Sequence, residues 1–179
     1  MTAQLTILTC ILTAQLTSWG QAKTESKNEV RQTNTFKMDI SLIAILPFDP
    51  TQYSFFKNGK PTELTKDELL KIETVLKRCI DNYNSDQNKL FNDIDRQHPE
   101  YINSKKNSSI DLTLYKRQYV AAINYIGQKE IWVNCFCDTW GRDWKKYLIS
   151  VKDGGNCYFN LKINLTTGQY YELRVNGDA

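Results

Sequence analysis

Apolar and polar positions alternate most clearly in the last third of the chain. In EIWVNCFC (130–137), Ile131, Val133, Cys135 and Cys137 fall on one side, and Trp132, Asn134 and Phe136 on the other. NCYFNLKINL (156–165) sets Cys157, Phe159, Leu161, Ile163 and Leu165 against Tyr158, Asn160, Lys162 and Asn164, the pattern of a half-buried strand. After a short loop at Thr166, Thr167 and Gly168, QYYELRVNG places Tyr171, Leu173 and Val175 opposite Tyr170, Glu172, Arg174 and Asn176, which completes a hairpin. Upstream, residues 110–126 have strand composition and turn at Gly127-Gln128 into 130–137. YLISV (147–151) reads as a further strand closed by Asp153-Gly154-Gly155. Near the start of the folded region, MDISLIAILPF (38–48) reads as a buried strand stopped by Pro47 and Pro50, with a short helix as the competing reading. YSFF (53–56) before Asn58-Gly59 reads as a small strand or hairpin.

The period changes after residue 64. Thr65-Lys66-Asp67-Glu68 is a capping box with acids in the first turn. Leu69, Ile72, Leu76, Cys79, Ile80 and Tyr83 then recur every three or four residues, which predicts a helix over 66–84 with one apolar stripe. Asn82, Asn84 and Ser85 are expected to end it, with a second short helix near 87–96 stopped by Pro99 and a loop from 103 to 109. The class is therefore α+β: one main helix laid across an antiparallel sheet of about four to five strands. The helix stripe is expected to meet Ile131, Val133, Phe159, Leu161, Ile163 and Leu173.

Composition supports one globular domain: 179 residues, 41% hydrophobic and 24% charged, with a net charge of +3 and no block of basic residues. That charge pattern argues against a nucleic-acid partner. Residues 1–22 carry no charged side chain and hold an apolar run followed by Gly20 and Ala22, so they read as a cleaved signal peptide. The run falls short of the roughly 20 residues of a spanning helix, so no membrane span is expected after processing. A lipid anchor on Cys10 is the less favoured alternative. Residues 23–35 read as a flexible lead-in and 36–179 as the single α+β domain, secreted or periplasmic.

Chemistry is sparse. Every P-loop, GxGxxG, HExxH and GxSxG pattern is missing, and the carboxylates form no spaced pair. His98, the one histidine, sits before a proline in a polar stretch and reads as a solvated loop residue. Cys135, Cys137 and Cys157 lack the usual structural zinc spacing, so neither a metal nor a cofactor is expected, and no catalytic residue is assigned. Cys79, Cys135, Cys137 and Cys157 are expected to share the core, either with one disulfide that involves Cys157 or Cys79, or as buried free thiols. Asn107-Ser108-Ser109 and Asn164-Leu165-Thr166 match glycosylation acceptors. The best contact surface is the loop holding Trp140, Arg142, Trp144, Lys145 and Tyr147, residue types that dominate interfaces. The alternative is that one Trp plugs the end of the core. Tyr158, Tyr170 and Arg174 on the last hairpin form a second candidate.

The segments 118–137 and 153–177 together resemble the C-terminal part of an uncharacterised family of small exported bacterial proteins. One capped helix followed by a strand meander resembles the cystatin-like and nuclear-transport-factor-like architectures in outline. Gln118-Tyr119-Val120-Ala121-Ala122 resembles the Gln-x-Val-x-Gly hairpin of cystatin inhibitors but carries Ala122 where the turn glycine would stand. The function expected is an exported, non-catalytic binding module of the cell envelope, taking a protein or small ligand. A small secreted enzyme using a Cys or His98 in a cleft is the alternative.

Overall fold

A computed structural model describes residues 38–99 and 109–177. The stretches expected to be a signal peptide and a lead-in, Cys10, the expected loop over 103–108 and the Asn107 acceptor lie outside the described residues. The capping box forms: Glu68 N donates to Thr65 Oγ1 at 3.2 Å and Thr65 N donates to Glu68 Oε2 at 2.9 Å. From it runs a single helix, α1 (Lys66–Gln97). The expected stop at 82–85 and the separate second helix are therefore corrected. Asn84 does not cap the helix, because its amide accepts from Ile110 N and donates to Ile110 O, both at 2.8 Å. With Asn84 so occupied, surface pairs such as Lys89–Asp86 continue the helix. It ends at His98, whose backbone (φ −139°, ψ 70°) has left the helical region that the following Pro99 disfavours.

The strands are β1 (Ile43–Leu46), β2 (Lys60–Pro61), β3 (Lys116–Ile123), β4 (Lys129–Phe136), β5 (Tyr158–Asn164) and β6 (Gln169–Val175). They form one sheet in the order β1-β3-β4-β5-β6, with β2 also on β3. All pairings are antiparallel except β1 with β3, which run parallel from Ile43 opposite Arg117. The fold is thus α+β with a mostly antiparallel sheet. Asp39 and Asp111 each accept from the backbone N–H two residues on and cap a single 3-10 turn, Ile40–Leu42 before β1 and Leu112–Leu114 before β3. These turns shorten both strands relative to the sequence reading. The YSFF segment is no strand but packs as an aromatic cluster. YLISV is no strand either; the Ile149 N–H and C=O are taken by the side chains of Gln118 and Asn134.

The helix stripe packs as expected. Ile72, Val75, Leu76, Cys79 and Ile80 are buried with Ile131, Val133, Cys135, Phe159, Leu161 and Ile163, while Leu69, Tyr83 and Leu173 pack at the margin. Each such side chain contributes roughly 1.5 to 3 kcal/mol by leaving water. One charged group breaks the apolar stripe. Glu73 is 1% exposed; it accepts from the Tyr119 hydroxyl and lies 3.5 Å from Arg117 Nε, whose residue is 4% exposed. Arg117 also donates to Leu112 O at 2.8 Å.

Glu73→Ala should cost about 3 to 5 kcal/mol, because it leaves the Arg117 cation buried without its partner. Denaturant unfolding measures this, and a loss below about 1 kcal/mol would show the pair to be incidental.

Candidate functional site

The sheet has a second face, and its covering is incomplete. Alternation sends Gln118, Val120 and Ala122 of β3 away from the helix, with Glu130, Trp132 and Asn134 of β4 and Asn160 and Lys162 of β5 beside them. Two segments cover part of this face. Phe48, Tyr53, Phe55 and Phe56 pack on Val120, Ala122 and Trp132. Opposite them, Trp144, Ile149 and Val151 pack with Phe136 and Tyr158.

The second segment is held by a buried amide. Gln118 is 0% exposed, and its Nε2 donates to Trp144 O at 2.5 Å and Tyr147 O at 2.8 Å, while its Oε1 accepts from Ile149 N at 3.0 Å. Asn134 Nδ2 donates to Gln118 Oε1 at 3.1 Å and to Ile149 O at 2.7 Å. A buried amide left unpaired would cost about 1 to 3 kcal/mol, so the loop lies where these groups find partners. Gln118 is thus a loop anchor rather than part of an inhibitory hairpin.

Between the two coverings lies a groove. A hollow of about 730 Å³ is lined by Phe55, Tyr125, Glu130, Trp132, Lys162 and Arg174, among others. A smaller hollow of about 200 Å³ shares Phe55, Trp132 and Asn160 with it and continues to Ile149, Tyr158 and Asn176. Phe55 stacks on Trp132 with centroids 4.5 Å apart and planes 11° from parallel. Lys162 Nζ lies 5.8 Å from the ring centres of Phe56 and Tyr171 and 3.1 Å from Glu172. Asn124 Nδ2 donates to Glu130 at 2.9 Å, and Glu130 also accepts from the Tyr171 hydroxyl. Burial, then that hydrogen bond, pushes the Tyr171 hydroxyl well above its ordinary range. The groove has the aromatic floor and few convergent polar groups of a ligand site.

A bulge sets which groups of β6 reach the groove. Tyr170 pairs with Ile163 and Tyr171 with Lys162, but Arg174 already faces Asn160. Glu172, at φ 52°, absorbs the extra residue. The sequence alternation therefore inverts at the tyrosines. Tyr170 turns to the helix, where its hydroxyl accepts from Asn82 at 2.9 Å. Tyr171 and Arg174 turn to the groove side. Of the hairpin candidates, Tyr158 is buried and meets Trp140 Nε1, which donates to its hydroxyl.

The loop candidates divide. Trp140 is 69% exposed and Tyr147 67%, and Arg142 and Lys145 are exposed beside them. Trp144 instead plugs the second face, edge-on to Phe136 and flanked by Lys145 Nζ at 5.5 Å and Lys116 Nζ at 6.0 Å from its ring centre. None of the five lines the larger hollow. Sequence reasoning missed Trp132 and Phe55; the visible signal was a tryptophan on the outward side of a half-buried strand.

A disulfide that involves Cys157 forms as expected, but Cys137 and Cys157 do not share the core with Cys79 and Cys135. Cys137 lies past the end of β4 and bonds Cys157, with Cα atoms 5.1 Å apart, so these two leave the core and close the base of the 138–156 loop. Among the described residues, the buried free thiols are Cys79 and Cys135. Burial, partly offset by Arg78, pushes the Cys79 thiol up to about 12. Burial also raises Cys135, against the pull of Arg117. Both stay protonated near neutrality and are poor nucleophiles. His98 is exposed at the helix end and lines neither hollow. Gly154-Gly155 is a turn whose Gly155 N donates to Gly177 O at 2.9 Å. The Asn164 acceptor is closed, since it is buried and its Nδ2 donates to Gln128 at 2.6 Å. Among the described residues no cluster of His, Cys, Asp or Glu is arranged to hold a metal, and no helix is long and apolar enough to cross a membrane.

Thiol labelling tests this arrangement. Of Cys79, Cys135, Cys137 and Cys157, none should react rapidly in the native state at pH 8, two should react after unfolding without reductant, and all four after reduction. Mass spectrometry reads the outcome, and four labels without reductant would contradict the disulfide.

Comparison with known proteins finds no match: no family model, no curated protein and no solved structure is similar to the chain.

Proposed function

We propose that this protein is an exported, non-catalytic binding module whose ligand lies in the groove over Trp132. The observation that carries this reading is the groove itself: an aromatic floor, polar groups converging on it, and, at its smaller hollow, a wall held by a buried amide and a disulfide. Preorganised walls lower the ordering cost of binding. Trp140, Arg142, Lys145 and Tyr147 extend the contact surface beyond the smaller hollow, which they join through the Trp140–Tyr158 hydrogen bond. Export, with residues 1–22 as the leader and the envelope as the source of the ligand, is supported by the disulfide, since such bonds persist in oxidising compartments. The catalytic alternative draws less support, because its thiols are buried and protonated and its histidine stands away from both hollows.

Amide chemical-shift mapping of the purified protein against mixtures of small polar and aromatic fragments tests the reading. Shifts should gather on Trp132, Asn160, Lys162 and the 53–58 segment, and Trp132→Ala should weaken the best fragments about tenfold or more, as losing a central aromatic anchor does. Shifts scattered over the surface, or fragments indifferent to Trp132→Ala, would overturn it.

A further inference from the structure

We propose that the groove takes an acidic oligosaccharide, a deduction that rests on reading the groove as a binding site. Its floor is the face of a sheet, not an edge. The backbone groups of β4 and β5 are consumed by pairing with their neighbours, so the floor offers side chains alone. A peptide lying there would leave its own N–H and C=O groups unanswered, which is why extended peptides add to sheet edges. A sugar ring has the opposite needs: an apolar C–H face to lay on an aromatic plane, and hydroxyl pairs to meet planar amides and carboxylates.

The groove supplies both. Phe55, stacked between Tyr53 and Trp132, covers one face of Trp132; the other side of Trp132 and the exposed Tyr125 give ring surface along the hollow. Asn160, shared by both hollows, has no hydrogen-bond partner for its side chain among the described residues, so its amide is open at both ends to a ligand. From Glu130 to Asn134 the floor extends about 13 Å at strand rise, which accommodates two to three sugar rings.

Charge sets the kind of sugar. Glu172 is paired with Lys162, and Glu130 is occupied by Asn124 and Tyr171. Lys57 and Arg174 line the groove with no ion-pair partner among the described residues; Arg174 stands beside Asn160 on the neighbouring strand, and its planar guanidinium matches a carboxylate bidentately.

Isothermal titration of the purified protein tests this with five probes: a hyaluronan oligosaccharide, an oligogalacturonate, neutral chitotetraose, an acidic peptide and a short oligothymidylate. At least one acidic sugar should bind, with Arg174→Gln weakening it about tenfold and Trp132→Ala more, while chitotetraose binds more weakly and is indifferent to Arg174→Gln. Equal binding of neutral and acidic sugars, unmoved by Arg174→Gln, would overturn the acidic assignment. Binding of the peptide or oligothymidylate in place of every sugar, or fragment shifts in the groove with no sugar bound, would overturn the saccharide and leave the groove as a site. With neither probes nor fragments binding there, both readings fall.

Discussion

A strand that is buried on both faces yet carries polar side chains places a constraint on everything around it. In β3, Arg117 and Tyr119 point to the helix and Gln118 points the other way, all of them buried. Polar groups in that position must find partners or forfeit more than a typical hydrogen bond contributes. Glu73 answers on one side, and this fixes which face of α1 meets the sheet and at which turn. The 144–149 backbone answers on the other, and this fixes the loop. The two layers are thus positioned from one strand.

The groove is what these commitments leave uncovered. Gln118 and Asn134 draw the 138–151 loop over one part of the second face, and the Cys137–Cys157 bond holds its base. The aromatic segment after β1 covers another part, closing on Val120 and Ala122. Gly59 allows that approach, since a Cβ there would meet Phe56, Ala122 and Phe48 at 3.0 to 3.2 Å. Trp132, Asn160 and Lys162 remain between the two. The helix packs on the opposite face, so a ligand there lies across the sheet from α1.

Much of the main layer was legible because its signals are local and periodic. The capping box and the stripe from Leu69 to Tyr83 define the helix start and its buried face, and the alternation in 130–137 and 156–165 defines β4 and β5. Where several forces act on one residue, the pattern blurs. β3 is covered on both faces, so alternation carries no information there and Gln118 passes for a surface residue. At Tyr170 and Tyr171 a bulge exchanges the two faces, which period-two reading cannot register. The parallel pairing of β1 with β3 joins segments some seventy residues apart, and nothing near either strand encodes it. Trp132 was visible as an outward aromatic, but its meaning depends on which loops stop short of it.

Native-state hydrogen exchange on Gln118→Met, a swap of similar size that removes every amide hydrogen bond, addresses the central claim most directly. Losing these bonds should cost the loop about 1 to 3 kcal/mol. Exchange at Ile149 and its loop neighbours should therefore rise about tenfold or more, with the amides of α1 near Ile72 to Ile80 exchanging as before. Unchanged protection at Ile149 would show that the loop is held by its apolar contacts instead. Equal acceleration in the helix would show that the two layers unfold as one, and either result would contradict an anchor that acts on the loop alone.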